Sequence, residues 1–194
     1  MILSNLSKYK IILASNSPRR KELLSGLDIE YVVKTLPNVD ERYPASLKGA
    51  EIPAYIAHQK AAAYREFITG NELVITADTI VWLHDEALGK PHDEEEAKIM
   101  LRKLSGVTHQ VITGVCITTA QLQKSFTVTS EVSFSELSDD EIDYYVKRYI
   151  PLDKAGAYGV QEWIGFIGVN DIKGSYYNVM GLPVQRLYAE LKTI

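Results

Sequence analysis

The sequence predicts an α/β fold, because strand-like and helix-like segments alternate along the chain. The apolar run at 11–14 leads into a segment with strong helix-start signals, and 73–82 is a longer, nearly continuous apolar run. A run of that kind is typical of a central strand that is covered on both faces. With 194 residues, of which 46 % are hydrophobic, the chain can bury a substantial core as one domain or as two small lobes.

The first helix is predicted to begin within 15–20, Ser-Asn-Ser-Pro-Arg-Arg, directly after the first strand. Ser17 suits the N-cap, and Pro18 suits the first helical position, where a missing N–H costs nothing. The free N–H groups and the helix dipole favour an anion at this end. Arg19 and Arg20 oppose the dipole unless an anion is bound there, and guanidinium groups match phosphate oxygens. The segment therefore indicates a phosphate site, with a solvated arginine pair as the alternative.

The remaining elements follow from apolar spacing and from helix start and stop signals. After a helix stop at Gly26, the pattern predicts a strand at 29–34, a polar loop at 37–44, a helix at 51–68, a helix at 93–104, strands at 111–119 and 125–136, a helix from 138 to about 149 and a last helix at 183–192. Capping boxes open the helices at 93 and 138. The six glycines within 151–181 indicate short strands and close loops around a site.

Two charged residues stand in apolar surroundings. Asp78 lies inside the predicted central strand, where a buried charge is costly unless it is paired or binds a metal. It is therefore a candidate metal ligand or general base, the alternative being a turn cap or a partner of a structural arginine. Lys60 either extends its ammonium to solvent or points into a polar cleft. The predicted helix places Lys60 on a stripe of apolar side chains: Ile52, Ile56, Ala63 and Phe67.

Further charged groups complete a set that is suited to polyphosphate chemistry. Lys90 lies between Gly89 and Pro91, which hold it on a stiff loop. Asp40 and Glu41 offer carboxylates for a divalent cation, although acidic residues in a loop are more commonly just exposed to solvent. The cations are Arg19, Arg20, Lys60 and Lys90, and the oxygens come from Asp78 and Glu41. Cleavage of a polyphosphate needs such a mixture: charge neutralisation, a metal such as Mg²⁺ and a carboxylate that activates water.

Composition and missing motifs exclude several other classes. The net charge of −4 without a long basic run does not suggest binding to nucleic acid or to a membrane surface. Cys116, the single cysteine, excludes an intrachain disulfide and is expected to be a buried structural thiol. No signal peptide and no apolar run of about 20 residues are found, so we expect a cytoplasmic protein. Walker, dinucleotide-binding, zinc-protease and serine-hydrolase motifs are missing, and His109 is expected to be a hydrogen-bonded strand residue.

The ordered motifs resemble those of the Maf family of nucleoside triphosphate pyrophosphatases nearly from end to end. They are LASNSPRR at 13–20, ADT at 77–79, GKP at 89–91, LSGVTHQV at 104–111, PLDKAGAYGVQ at 151–161 and GSYYNVMGLP at 174–183. The resemblance implies a single domain at 1–194 with a Maf-like (ITPase-like) twisted mixed sheet, flanked by helices, and two lobes around a central substrate cleft. It also implies hydrolysis of a nucleoside triphosphate to the monophosphate and pyrophosphate, a divalent cation (Mg²⁺ or Mn²⁺) and a homodimer.

The resemblance also implies roles for individual residues. Asp78 matches the proton acceptor, and Glu41 and Asp78 match candidate metal ligands; the sequence does not separate which carboxylate activates water. Arg19, Thr79 and Gln161 match positions that are associated with substrate choice. The other residues that match the substrate site are Ser15, Arg20, Lys60 and Lys90.

The motifs around Asp78 and Gln161 resemble the branch of the family that acts on dTTP, UTP and modified uridine triphosphates. Thr79 and Gln161 carry short groups that can read the edge of a pyrimidine. The leading hypothesis is therefore an enzyme that removes pyrimidine or modified nucleotides before they are incorporated into nucleic acid. The alternative is a regulatory protein of septum formation that acts through a partner. A nucleic-acid-binding protein would need a basic surface, which the charge of −4 does not support.

Overall fold

Helices and strands alternate along residues 3–37 and 39–194, which are the residues that the computed structural model describes. In chain order they are β1 (Lys10–Leu13), α1 (Pro18–Ser25), β2 (Val32–Val33), α2 (Glu51–Ala63), β3 (Glu72–Leu83), β4 (Glu86–Leu88), α3 (Glu94–Leu104), β5 (Thr108–Thr118), β6 (Gln123–Phe134), α4 (Asp139–Tyr149), α5 (Trp163–Gly168), β7 (Val169–Lys173), α6 (Tyr176–Met180) and α7 (Val184–Leu191). Asn38, within the predicted polar loop, lies outside the described residues, as do residues 1 and 2.

The strands form a mixed sheet in the order β2-β1-β3-β5-β6-β7, with β4 paired to β3. β1 is parallel to both β2 and β3, with Ile12 opposite Val32 on one side and Val74 on the other. β4 and β7 are antiparallel to their partners. The predicted α/β class with a mixed sheet is confirmed. The buried residues 73–77 also confirm that β3 is covered on both faces.

The chain forms two compact units. The first comprises the chain up to Asp78 together with 113–128 and 181–194, and the second comprises 79–112 and 129–180. In the first unit, Ile12, Tyr64 and Val74 form one buried cluster. In the second unit, α3 packs against α4 and against the short 3₁₀ turn Ala155–Ala157. The predicted single domain with two lobes around a central cleft stays a prediction.

The predicted helix caps are present. Ser17 caps α1 by accepting a hydrogen bond from the Arg20 N–H, and Pro18 is the first helical residue. Asp93 caps α3, but the predicted capping box there is incomplete, because the Glu96 carboxylate accepts from the His92 N–H. Ser138 forms a complete capping box with Glu141 at α4. These devices involve residues no more than three positions apart, so the sequence alone specifies them.

The predicted helix at 51–68 is too long. α2 ends at Ala63, and a 3₁₀ turn follows at Arg65–Phe67. The Tyr64 hydroxyl donates to the Lys34 carbonyl and accepts from the Leu36 N–H, and these contacts hold the chain where the helix ends. Ala63 is exposed, so its predicted place on the buried stripe is wrong.

Other boundaries also differ from the prediction. The strand predicted at 29–34 comprises only the exposed pair Val32–Val33, at the edge of the sheet. A hairpin to β4 was not predicted; its turn residues His84 and Asp85 both have positive φ, which two non-glycine residues seldom adopt. The glycine-punctuated segment 151–181 contains the helices α5 and α6 as well as the strand β7, where short strands and loops were expected.

Gly114 in β5 lies against α2 within the first unit, and its substitution tests this packing. A Cβ atom at Gly114 would overlap the Pro53 carbonyl group and lie 2.6 Å from the Ala54 nitrogen. Because both neighbours are backbone atoms that cannot rotate away, we expect Gly114→Ala to lower the free energy of unfolding by about 2–3 kcal/mol. Gly70→Ala is the control, since no atom lies within 4 Å of its Cβ position. Equal denaturation midpoints for the two variants would contradict the prediction.

Candidate functional site

The turn between β1 and α1 begins the candidate site. Ser15 is buried, and its Oγ accepts a hydrogen bond from the Ser17 N–H at 3.2 Å. The Ala14 N–H donates to the Ile75 carbonyl at 2.9 Å, which fixes this turn to β3 within the first unit. The predicted strand–turn–helix arrangement is therefore present, with the N-terminus of α1 held beside the central strand.

Arg20 is partly buried and extends from this turn to two backbone carbonyls of the first unit. Its Nε donates to the Gly181 carbonyl at 2.8 Å, and its Nη1 donates to the Ala77 carbonyl at 2.9 Å. Burial lowers the pKa of Arg20, the charge of Arg19 lowers it further, and the carboxylates of Asp78 and Glu41 oppose this shift. A guanidinium stays protonated despite such effects. Arg20 is thus a fixed cation whose charge reaches both carboxylates.

Lys60 lies at the centre of the charged cluster. Its Nζ is 2.8 Å from Oδ1 of Asp78 and 2.9 Å from Oε1 of Glu41. The side chains of Lys60 and Asp78 are only 14 % and 13 % exposed, whereas that of Glu41 is 50 % exposed. Of the alternatives for Lys60, the structure therefore selects the polar contact over extension into solvent. Asp78 is paired with this lysine, and it lies within β3 (Glu72–Leu83), as the apolar run at 73–82 predicted.

The acidic loop divides its two carboxylates between different partners. Glu41 reaches Lys60, whereas the neighbouring Asp40 forms a two-pronged ion pair with the exposed Arg42. The Arg42 guanidinium lowers the pKa of Asp40 to about 2. Asp40 is therefore a surface carboxylate, and Glu41 is the member of this pair that joins the site.

The carboxylates of the cluster are candidate ligands for a divalent cation. Within 3–37 and 39–194, no three His, Cys, Asp or Glu side chains are grouped so as to hold a metal ion by themselves. Asp78 and Glu41 nevertheless place two carboxylates around one ammonium group. Mg²⁺ in enzymes that act on phosphates is commonly held by one or two carboxylates, with the remaining ligands from water and phosphate oxygens. The residues present fit that arrangement and do not form an all-protein cage.

Three of the predicted site residues belong to the second unit. Thr79 follows Asp78 directly and is partly buried. Lys90 is exposed on the loop after β4, and the carbonyl of the preceding Gly89 accepts a hydrogen bond from the Gly156 N–H at 3.0 Å. This bond ties the Lys90 loop to the glycine-rich segment that carries Gln161.

Gln161 holds a buried acceptor. Its Oε1 atom is buried and has no hydrogen-bond partner among the described residues. A buried carbonyl oxygen without a partner costs about 1–3 kcal/mol. A ligand that supplies a donor removes this cost. The unpaired acceptor of Gln161 is therefore the kind of group that recognises a ligand by a hydrogen bond.

His109 is a packing residue of the second unit, as the sequence indicated. Its Nε2 lies 2.8 Å from the Tyr158 hydroxyl, and its ring meets Phe134 edge-on. Burial lowers the pKa of His109 to about 4 and raises that of Tyr158. The imidazole is therefore neutral at physiological pH.

The buried neutral His109 predicts a loss of stability in mild acid. Unfolding restores an ordinary pKa near 6.5, so between pH 6.5 and 4 the unfolded state binds the proton that the folded state excludes. The stabilisation is complete above pH 6.5 and is lost as the pH falls towards 4, by up to about 3 kcal/mol. Thermal unfolding from pH 7 to 4 should therefore be less steeply dependent on pH in His109→Gln. The exposed His92 provides the control His92→Gln, and equal slopes in all three proteins would refute the assignment.

Comparison with solved structures first defines the class of fold. The Ham1 protein of Staphylococcus aureus matches with a TM-score of 0.53 and 20 % identity, over 93 % of this chain and 99 % of that chain. At this identity the likeness concerns the fold, which agrees with the predicted ITPase-like sheet.

Sequence comparison then gives the family. The family profile described as Maf-like protein matches residues 10–194, and the chain belongs to the Maf family. A dTTP/UTP pyrophosphatase of Phocaeicola vulgatus is 68 % identical over 193 residues, covering 100 % of both chains. Proteins of the same name from Bacteroides thetaiotaomicron and Flavobacterium psychrophilum are 65 % and 47 % identical, and each alignment covers at least 97 % of both chains. The described residues contain no helix that is long and apolar enough to span a bilayer.

Two features, one in each unit, were not predicted from the sequence. The Gly181 carbonyl, which holds Arg20, is far along the chain from that residue. The other feature is a buried polar network of Tyr145, Lys154 and Glu162 around the Gln161 segment. Tyr145 resembles any aromatic residue on the apolar face of α4, so the sequence carries no signal for its hydroxyl contacts.

Proposed function

We propose that this chain hydrolyses nucleoside triphosphates, dTTP and UTP foremost, to the nucleoside monophosphate and pyrophosphate. The observation that carries the proposal is the cluster in which Lys60 bridges Asp78 and Glu41, with the charge of Arg20 reaching both carboxylates. Relatives named dTTP/UTP pyrophosphatase, up to 68 % identical over the whole chain, support the same substrates. A structural role alone would not require this concentration of paired charges, because apolar residues of similar volume often pack as stably.

In the proposed reaction, water attacks the α-phosphorus and Asp78 accepts its proton. A bond forms between the water oxygen and the α-phosphorus, the bridge between the α- and β-phosphates breaks, and pyrophosphate leaves. Lys60 and the arginines at the start of α1 offset the negative charge that develops on the leaving group. Because Arg20 is held by two backbone carbonyls, its charge is already in place before substrate binds.

Asp78 and Glu41 are the residues that would hold Mg²⁺ or Mn²⁺. When bound, a divalent cation would neutralise phosphate charge and assist the activation of water. Because the Lys60 ammonium contacts both carboxylates, it would compete with a cation for their oxygens. We assign acceptance of the proton to Asp78, because it is the more buried of the two carboxylates.

Base selectivity is assigned to Gln161 and Thr79. The unpaired Oε1 of Gln161 suits the N3–H donor of uracil or thymine. Cytosine has an acceptor at the same position, so the wrong base would leave the buried oxygen unpaired.

Ser15 and Arg19 at the start of α1, and Lys90, are assigned to the phosphates. A cytoplasmic homodimer that removes modified pyrimidine nucleotides before their incorporation into nucleic acid is the proposed biological setting.

Release of pyrophosphate from a panel of nucleoside triphosphates tests the proposal. The panel comprises dTTP, UTP, dCTP, CTP, dGTP and GTP, each with Mg²⁺ or Mn²⁺. We expect turnover of dTTP and UTP that depends on the cation, with CTP and dCTP at least about tenfold poorer in kcat/KM. Activity confined to purine nucleotides would refute the assignment of Gln161 and Thr79, and release of orthophosphate instead of pyrophosphate would refute the reaction.

A further inference from the structure

We propose that Tyr145, Glu162 and Lys154 are positioning residues for base selectivity. They hold the turn at 159–162 so that the carboxamide of Gln161 keeps the place from which its Oε1 accepts a hydrogen bond. This inference rests on the proposed function, because it gives the three residues a role in the recognition of uracil and thymine.

The Tyr145 hydroxyl fastens both ends of this turn. It accepts a hydrogen bond from the Gly159 N–H at 3.0 Å and donates a hydrogen bond to Oε2 of Glu162. The Glu162 N–H also donates to the Gly159 carbonyl at 2.9 Å. Residues 160 and 161 therefore lie between Gly159 and Glu162, which are both hydrogen-bonded to the buried Tyr145 hydroxyl. Burial and the neighbouring Glu162 carboxylate raise the pKa of Tyr145, so its proton remains available for donation.

Lys154 balances the charge of Glu162. Its Nζ lies 3.1 Å from Oε1 of Glu162 and 2.7 Å from Oδ1 of Asp153, and its side chain is only 8 % exposed. Glu162 thus uses one oxygen for the tyrosine and the other for the lysine. A carboxylate with two directional partners is held in orientation as well as in place.

Packing transmits the position of the turn to the Gln161 carboxamide. A Cβ atom at Gly159 would lie 2.8 Å from Nε2 of Gln161 and 2.8 Å from the carboxyl carbon of Glu162. Both side chains therefore pack directly over the Gly159 backbone, in space that only glycine leaves open. The Val160 carbonyl in turn fits against Gly165, where a Cβ atom would overlap it. A shift of Gly159 towards these side chains would therefore displace the Gln161 amide.

The two contacts of the Tyr145 hydroxyl are the ones that Tyr145→Phe removes. The variant keeps the buried ring, which stacks on Tyr149, and removes the partner of the Gly159 N–H and of Oε2 of Glu162, while Oε1 of Glu162 keeps its contact with Lys154. We expect the KM for UTP to rise about tenfold with kcat nearly unchanged, because a bond to the base is made equally in the bound substrate and in the transition state. A loss of general structural integrity would instead lower kcat through a smaller folded fraction.

A double-mutant cycle with Gln161→Ala separates positioning from structural support. If Tyr145 acts through Gln161, Tyr145→Phe should change kcat/KM for UTP by less than about twofold once Gln161 is alanine. Tyr144→Phe is the matched control, since Tyr144 is on the same helix and is 51 % exposed. Equal losses from Tyr145→Phe in the two backgrounds, or no loss in either, would overturn the proposal.

Folding and the underlying activity are checked separately. If Tyr145→Phe does not fold, Glu162→Gln enters the same cycle, because its amide oxygen still accepts from Tyr145 while its NH2 group, a donor, replaces the oxygen that Lys154 contacts and removes that ion pair. Lack of pyrophosphate release by the wild type would refute the proposed function. UTP affinity by calorimetry would then replace kcat/KM in the cycle, and affinities that are independent of Tyr145 would refute the positioning role too.

Discussion

Asp78→Asn is expected to lower kcat for pyrophosphate release from UTP by about 10²–10⁴-fold, the usual contribution of a general base. The substitution replaces a carboxylate that can take a proton from water by an amide that cannot. The amide oxygen can still accept the hydrogen bond that Lys60 donates to Asp78 at 2.8 Å. The fold should therefore persist, and the loss should appear in the chemical step rather than in the amount of folded protein.

The control for this prediction is Asp171→Asn, which removes a carboxylate from the exposed strand β7. The measurements are steady-state kinetics with UTP and thermal unfolding, and only Asp78→Asn should lose activity. A variant that retains kcat within about threefold of the wild type would show that Asp78 does not accept the proton. Glu41, the other carboxylate on Lys60, would then be the residue to test.

Short-range signals explain why much of the fold could be predicted. Ser17 and Pro18 at α1 and the capping box of Ser138 with Glu141 depend on neighbours within three residues. The continuous apolar run of β3 likewise predicts a buried strand without any knowledge of the residues that pack against it. The end of α2 depends instead on Tyr64 and its bonds to the distant segment 34–36, and this tertiary contact has no local signal.

The candidate site was predictable by residue type more than by geometry. Asp78 and Lys60 stood out because a charge in an apolar stretch needs a partner. The structure brings them together with Glu41, whereas the pattern gave no means of pairing them in advance. The unpredicted Arg20 bonds are to the backbone carbonyls of Ala77 and Gly181, which any residue type could supply. Only the folded chain brings such partners together.

Lys60→Met is expected to affect both stability and activity. Removal of the ammonium leaves Asp78, only 13 % exposed, near Glu41 without the cation that each of them contacts within 3 Å. Breaking a buried pair by removing one partner costs 3–5 kcal/mol, and the exposure of Glu41 reduces this figure. We therefore expect the free energy of unfolding to fall by about 2 kcal/mol. We also expect kcat/KM for UTP to fall about 100-fold, because a fixed cation no longer offsets phosphate charge.

The matched control is Lys103→Met, because Lys103 also pairs with a carboxylate, that of Glu86 at 2.9 Å, but with both side chains about half exposed. A surface pair of this kind contributes about 0–1 kcal/mol, so this variant should retain both stability and turnover. Urea denaturation and kinetics on both variants separate the two effects of Lys60. If Lys60→Met were less stable yet fully active, the ammonium would serve only to hold the two carboxylates together. If it were inactive but as stable as the wild type, the charge of Arg20 would be sufficient for folding, and Lys60 would be retained for the phosphates alone.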